Sequence, residues 1–243
     1  MCTIFVALRP NSNDRLIFLE NHDKVDNEYL GEDVRLIDEN KVIALFDYRS
    51  KGIVCGYSLK ANIFGGLANV PGFKGSMSRG VLLKEVLSSS KDIDDALDII
   101  EEKLKSGLYS SANYVLGDLE RIFRIESFGE KLYISKASSR VIITNRFNKI
   151  DFKPKSDIHS RIIENSLRRE NYIESYIKRK ELTIDDIFKI ARYHKEGESI
   201  CKHGGLETST LSSMIFHLKN DLQPKILYLI GKPCENNYNE FKF

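Results

Sequence analysis

A chain of 243 residues with 42% hydrophobic and 30% charged residues can bury a substantial core, in one large domain or two small ones. A formal net charge of +2 and the lack of a basic block argue against a nucleic-acid-binding face, and no apolar run approaches the ~20 residues that cross a bilayer. Cys2, Cys55, Cys201 and Cys234 show neither CxxC spacing nor disulfide-framework density, so a cytoplasmic, reducing setting is expected.

The chain opens Met1-Cys2-Thr3. Methionine aminopeptidases remove a Met that precedes a small side chain, so the mature chain is expected to start at Cys2, with a thiol and a free α-amine on one residue. Their unperturbed pKa values, about 8.5 and about 7.7–8.0, make proton transfer between them nearly thermoneutral. An N-terminal amine can thereby serve as base to a side-chain nucleophile. No basic stretch with an apolar core and cleavage site stands at the start, so no leader is expected.

Residues 3–8 are nearly all apolar and predict a strand buried on both faces. Pro10-Asn11-Ser12-Asn13-Asp14 predicts a turn, and 15–19 a second strand. A hairpin centred near Ser12 sets Asn21, His22 and Asp23 opposite Cys2, putting an amide and a carboxylate beside the chain start. A plain polar turn after a strand is the alternative reading of those three residues.

Strands are expected at 34–37, 41–46, 53–57 and 62–70, the last with Gly65-Gly66 marking a bulge or a close backbone approach and Asn69 near its end. Ser78 opens a helix with Leu82, Leu83, Val86 and Leu87 at helical spacing, and Ser88-Ser89-Ser90 ends it. Asp92 caps a second, with Ile93, Ala96, Leu97, Ile100 and Leu104 inward and Gly107 closing it. A β-meander is expected over 112–117, 121–127, 131–135 and 141–144, with Asn145 ending its last strand. A helix follows over 157 to about 180, then one opened by the approximate capping box Thr183-Ile184-Asp185-Asp186. The basic cluster Arg168-Arg169, Lys178, Arg179 and Lys180 is interleaved with glutamates and reads as a solvated helix face. Strands at 211–218 and 225–230, joined through Asn220-Asp221, precede a tail. This order predicts a single α+β domain over 1–243, with sheets packed between helices.

Cys2 followed by Asn21-x-Asp23 resembles the cysteine-type N-terminal nucleophile (Ntn) hydrolases. Ile143-Thr144-Asn145-Arg146-Phe147, Ile200-Cys201-Lys202-His203, Thr210-Leu211-Ser212-Ser213-Met214 and Gly231-Lys232-Pro233-Cys234 with Tyr238 resemble, in order, motifs of the acyl-coenzyme A:6-aminopenicillanic acid acyltransferase family. Leu67-Ala68-Asn69 and Ser78-Arg79-Gly80 resemble a sister group, the Asn-Arg-Asp-Glu family. The resemblance implies a four-layer αββα sandwich and cleavage or transfer of an acyl group from a small amide or acyl thioester. It implies Cys2 as nucleophile, its amine as base, Asp23 holding the amine, and Asn145 and Asn69 as amide donors. Asn21, His22, Arg79 and Arg146 are the expected substrate-binding residues. The chain departs from its relatives at Glu20 and His22, where they place arginines.

Neither cofactor, metal, nucleic acid nor membrane is expected as a partner, and a homo-oligomer is compatible with the chain. Cys201-x-His203 with His194 upstream fits no standard zinc spacing, since a second close ligand pair is missing. Cys55 and Cys234 read as packed thiols. A rival function is a non-catalytic carrier of a small hydrophobic ligand, haem or an acyl chain, on the same fold.

Overall fold

Strand β1 (Cys2–Leu8) is buried at every position, as its unbroken apolar run requires. In this computed structural model, which describes residues 2–25, 31–37, 41–178, 181–195, 199–204, 208–220 and 223–242, β1 pairs antiparallel with β2 (Asp14–Val25). The register runs from Leu8↔Leu16 to Cys2↔His22, so the hairpin is centred on Ser12, as expected. Strand β2 does not stop at residue 19. It continues through Asn21-His22-Asp23 because β11 (Thr208–Lys219) pairs along its other edge as far as Val25. That second ladder satisfies the backbone of residues whose side chains locally read as a turn.

The remaining neighbours complete a six-stranded sheet in the order β10-β1-β2-β11-β12-β13, with β10 (Arg140–Ile143), β12 (Lys225–Ile230) and β13 (Asn239–Phe241). A seven-stranded sheet holds β3 (Glu32–Ile37), β4 (Val42–Asp47), β5 (Gly52–Ser58), β6 (Ile63–Asn69), β7 (Ala112–Gly117), β8 (Ile122–Phe128) and β9 (Lys131–Ala137) in that order. Both sheets are antiparallel, and with four helices among the described residues the fold class is α+β.

One expected element lies elsewhere. The stretch 141–144 does not extend the meander; β10 leaves it and pairs with β1, Ile143 opposite Ile4. Val141 and Ile143 join the core between the sheets while Ile142 joins the core beneath the helices, so β10 is apolar on both faces. Such a strand suits a sheet covered on both sides, whereas β9 at the meander edge is half-exposed throughout.

Helix α1 (Arg79–Ser89) is capped by Ser78, and α2 (Ile93–Lys105) by Asp92, whose side chain accepts the Asp95 N–H at 2.9 Å. Gly107 follows α2 at φ +68°, a conformation that glycine adopts without a Cβ penalty. Both helices bury Leu82, Leu83, Val86, Leu87, Ile100 and Leu104 against the seven-stranded sheet. Helix α3 (Asp157–Ile177) and α4 (Ile184–Arg192), the latter opened by a formed Thr183–Asp186 capping box, cover Phe5, Ile17 and Leu19 of the other sheet. The expected helix end at Lys180, the turn residue Asp221 and Met1 lie outside the described residues. No helix among the described residues is long and apolar enough to cross a membrane.

A third cluster, with Ile4, Val6, Phe18 and Phe216 meeting Leu45, Phe64 and Val115, fills the space between the sheets. Gly66 allows the sheets to close here: a Cβ on it would sit 2.5 Å from Glu20 Oε2 and 2.9 Å from Phe18 Cζ. The glycine pair therefore marks a close approach rather than a bulge, and the β5–β6 and β6–β7 registers run through it without a shift. By strand alternation, Cys2, Ile4, Glu20 and His22 face the inter-sheet space, while Thr3, Phe5, Leu19 and Asn21 face α3 and α4.

Candidate active site

Cys2 begins the central strand β1 and is 1% exposed. Its backbone N–H donates to Asn145 Oδ1 at 2.9 Å. Asn145 reaches it because it extends the β1–β10 register beyond Ile4↔Ile143, placing it level with Cys2. The other end of the same amide, Nδ2, donates to the Asn69 carbonyl at 2.6 Å. Asn145 therefore ties the start of β1 to the end of β6 in the opposite sheet. Asn113 Nδ2 fixes the surrounding backbone by donating to the Thr144 and Arg146 carbonyls, at 2.9 and 2.6 Å.

Asp23 brings its backbone N–H close enough to the Cys2 thiol to favour the thiolate. Its carboxylate Oδ1 accepts from Thr210 Oγ1 at 2.7 Å, and that hydroxyl oxygen accepts the Lys202 N–H at 2.7 Å. Burial pushes the Cys2 thiol up to about 12, with the Glu20 and Asp23 carboxylates adding to the rise and the Asp23 N–H acting in the opposite direction. A thiol so placed holds almost no thiolate at neutral pH and needs a base to react. Lys202 is brought down to about 7, first by burial and then by the Arg169 charge, against the pull of Asp23 and Cys2.

Arg169 of α3 is the residue that sequence reasoning missed. It is wholly buried, and its Nη1 donates to the Cys2 carbonyl at 2.7 Å and to Thr3 Oγ1 at 2.5 Å. Its Nη2 donates to Asn145 Oδ1 at 2.9 Å and to Ser166 Oγ at 3.2 Å. Its neighbours in that cluster match the solvated-face expectation where they are described: Arg168 is exposed and pairs with Glu164, and Lys178 is exposed. The signal was present in the helical period, since Ser166, Arg169, Ile173 and Ile177 repeat at 3- and 4-residue steps on one buried face.

On the inner face, His22 Nδ1 meets Glu32 Oε1 at 2.5 Å, and Ser212 Oγ donates to Glu32 Oε2. Burial alone would raise the Glu32 carboxyl; His22 and Ser212 outweigh it and hold it below the usual range. Glu20 behaves differently. It is completely buried, and neither oxygen has a hydrogen-bond partner among the described residues. Burial raises its pKa well above the usual value, with Glu32 and Asp23 adding to the rise. The Cys55 thiol lies close enough to oppose that rise, but it is directed at Met214 Sδ, 3.7 Å away. Burial thus favours the neutral form of the Glu20 carboxyl.

A cleft of about 420 Å³ opens beside these groups, lined by His22, Asn69 and Arg79 together with Lys24, Asp47 and Arg49. Arg79 Nη1 donates to the Ser111 carbonyl at 2.8 Å, and burial lowers its pKa. Cys2 is not on the cleft wall. Among the expected residues, Cys2, Asp23, Asn145 and Asn69 come together at the strand ends, while His22, Asn69 and Arg79 share the cleft. Two do not join them. Asn21 faces the helices, where its amide nitrogen donates to the Ala191 and Ile200 carbonyls and its oxygen accepts from Ser213. Arg146 Nε donates to Glu170 Oε2 at 2.7 Å in a separate recess with Arg124 and Arg140.

Comparison with models of known protein families finds no match to this chain, and neither does comparison with curated proteins.

Proposed function

We propose that the chain is a cysteine N-terminal nucleophile amidohydrolase or acyltransferase, and that its succession of helices and sheets is the αββα sandwich of that group. One observation carries the reading: the first residue of a central strand is a cysteine gripped at both its backbone N–H and its carbonyl, by Asn145 and Arg169. A structural strand start has little need of a buried arginine and a buried amide on one residue.

With Met1 removed, the nitrogen held by Asn145 is the α-amine. It takes the thiol proton as Sγ attacks the acyl carbonyl carbon of a small amide or acyl thioester. Asp23, held by Thr210, anchors the ammonium that results. Asn69, fixed through its carbonyl and lining the cleft, offers an amide donor to the developing oxyanion, an interaction worth about 10²–10³ in turnover. The ammonium returns its proton to the leaving nitrogen or sulfur, leaving a Cys2 thioester that water or a second amine resolves. Lys24, Arg49 and Arg79 on the cleft wall, against Asp47, suit a substrate that carries a carboxylate.

The buried thiol, absent from the cleft wall, favours a second reading, a carrier of a small hydrophobic ligand such as haem or an acyl chain. Intact-protein mass spectrometry before and after a thiol-reactive amide or β-lactam probe separates the two. A mass lacking Met1, with one adduct on Cys2 that vanishes in Cys2→Ala, is the expected result. Retained Met1, or labelling confined to other thiols, would sink the hydrolase reading.

A further inference from the structure

Outside the cleft, the loop after α4 and the segment after β12 bring four nitrogen and sulfur donors together. Cys201 Sγ and Cys234 Sγ are 3.2 Å apart. His203 Nε2 lies 2.9 Å from Cys234 Sγ and 3.8 Å from Cys201 Sγ. The His194 ring stacks on His203 with centroids 4.0 Å apart, and ligand atoms of His194, His203 and Cys234 all fall within 4.8 Å of one another.

The backbone builds this convergence. The Tyr193 carbonyl accepts the N–H groups of Ile200 and Cys201, both at 3.0 Å, which folds Cys201 back beside His194. Arg192 Nε donates to the Pro233 carbonyl at 3.2 Å and brings Cys234 to the end of α4. The Thr210 N–H donates to the Lys202 carbonyl at 3.1 Å, and this holds the Cys201–His203 turn against β11.

We propose that Cys201, His203 and Cys234, with His194 as fourth ligand, form a tetrahedral site for a divalent metal of the zinc class. Metal–sulfur bonds of about 2.3 Å and metal–nitrogen bonds of about 2.0–2.1 Å place sulfurs about 3.8 Å apart and sulfur and nitrogen about 3.5 Å apart. The observed separations differ from these by about 0.6 Å or less, a shift within reach of side-chain adjustment. His194 is exposed and free to turn out of its stacked posture toward the ion. The outer shell is also in place. His203 Nδ1 faces Glu235 Oε1 at 3.3 Å, which directs Nε2 toward the sulfurs, and Lys232 steadies that carboxylate at 3.5 Å. On binding, each thiol releases its proton to solvent and ligates as thiolate.

Sequence spacing argued against zinc because a second close ligand pair is missing; Cys234 lies 33 residues beyond Cys201. The fold supplies that missing ligand. The ion would fasten the 199–204 loop to the C-terminal segment, and with it Lys202, whose N–H holds the Thr210 hydroxyl that reaches Asp23.

The test is elemental analysis of the full chain, purified under reductant from zinc-supplemented medium, with cobalt titration of the metal-free protein. One zinc per chain is expected, together with a sulfur-to-cobalt charge-transfer band. Both should disappear in Cys234→Ser, whose exposed site leaves folding intact by circular dichroism. Glu235→Gln should retain the site with about 10–100-fold weaker affinity. Absence of retained zinc and of the cobalt band under reductant would overturn the proposal. So would a metal content unchanged in Cys234→Ser, or a Cys201–Cys234 disulfide in place of the metal.

Discussion

The two faces of the β1–β2 ribbon differ in how they treat buried polar groups. On the face toward α3 and α4, Thr3 and Asn21 are wholly buried and fully engaged, by Arg169, Ser213 and the Ala191 and Ile200 carbonyls. On the face toward the other sheet, Glu20 is just as buried and has no hydrogen-bond partner among the described residues. The first arrangement cross-links helices to sheet and makes that face a fixed scaffold. The second buries a carboxyl whose surroundings favour its neutral form, at a cost in stability, next to the proposed nucleophile. Cys2 stands where the two faces meet, with its thiol inward and its carbonyl gripped by Arg169 from the scaffold side.

Substitutions at four positions test that division, in falling order of effect. Cys2→Ala should lower turnover about 10³-fold or more while leaving the thermal midpoint unchanged. Full turnover by that variant on a genuine substrate would remove the inner face from the chemistry. Arg169→Met, on the scaffold side, should destabilise by about 3–5 kcal/mol in urea unfolding, because it removes the shared donor from four buried acceptors. Arg169→Lys should recover only part of this, since an ammonium cannot reproduce the planar fork.

Glu20→Met should act in the opposite direction and stabilise by about 1–3 kcal/mol at pH 7. The raised pKa sets the sign. Above about 4.3 the unfolded chain releases this proton while the folded chain keeps it, so stability falls as pH rises. That falling limb should be missing in the variant, and a destabilised Glu20→Met would show that the carboxyl has a partner after all. The smallest effect belongs to Lys202. Its folded pKa of about 7 lies below the unfolded value of about 10.4, so across that window the unfolded chain holds the extra proton and stability rises with pH. A gain of roughly 1 kcal/mol between pH 7 and 8, absent in Lys202→Met, is the expected readout.

Local features were legible in the residues themselves. Two apolar runs joined by a dense turn pointed to the β1–β2 register and set Cys2 opposite His22, since a hairpin centred on a short turn leaves few alternatives. The caps at Ser78, Asp92 and Thr183 were equally readable, because capping involves neighbours three residues apart. Asn145 and Asn69 were picked out through a family resemblance, and spacing alone would not have paired them.

The rest was decided by packing. Whether 141–144 stays in the meander or crosses to β1 depends on which sheet can cover both of its faces. Asn21 and His22 are adjacent in sequence, yet the pleat sends one into the scaffold and the other to the cleft. Arg169 meets Cys2 across 167 residues, and Cys234 meets Cys201 across 33. The chain alone indicated where most strands and helices lie, because apolar periods, turns and helix caps are local. Only the tertiary structure decided which polar side chains share a site, because such contacts depend on how separately formed layers exclude water from one another.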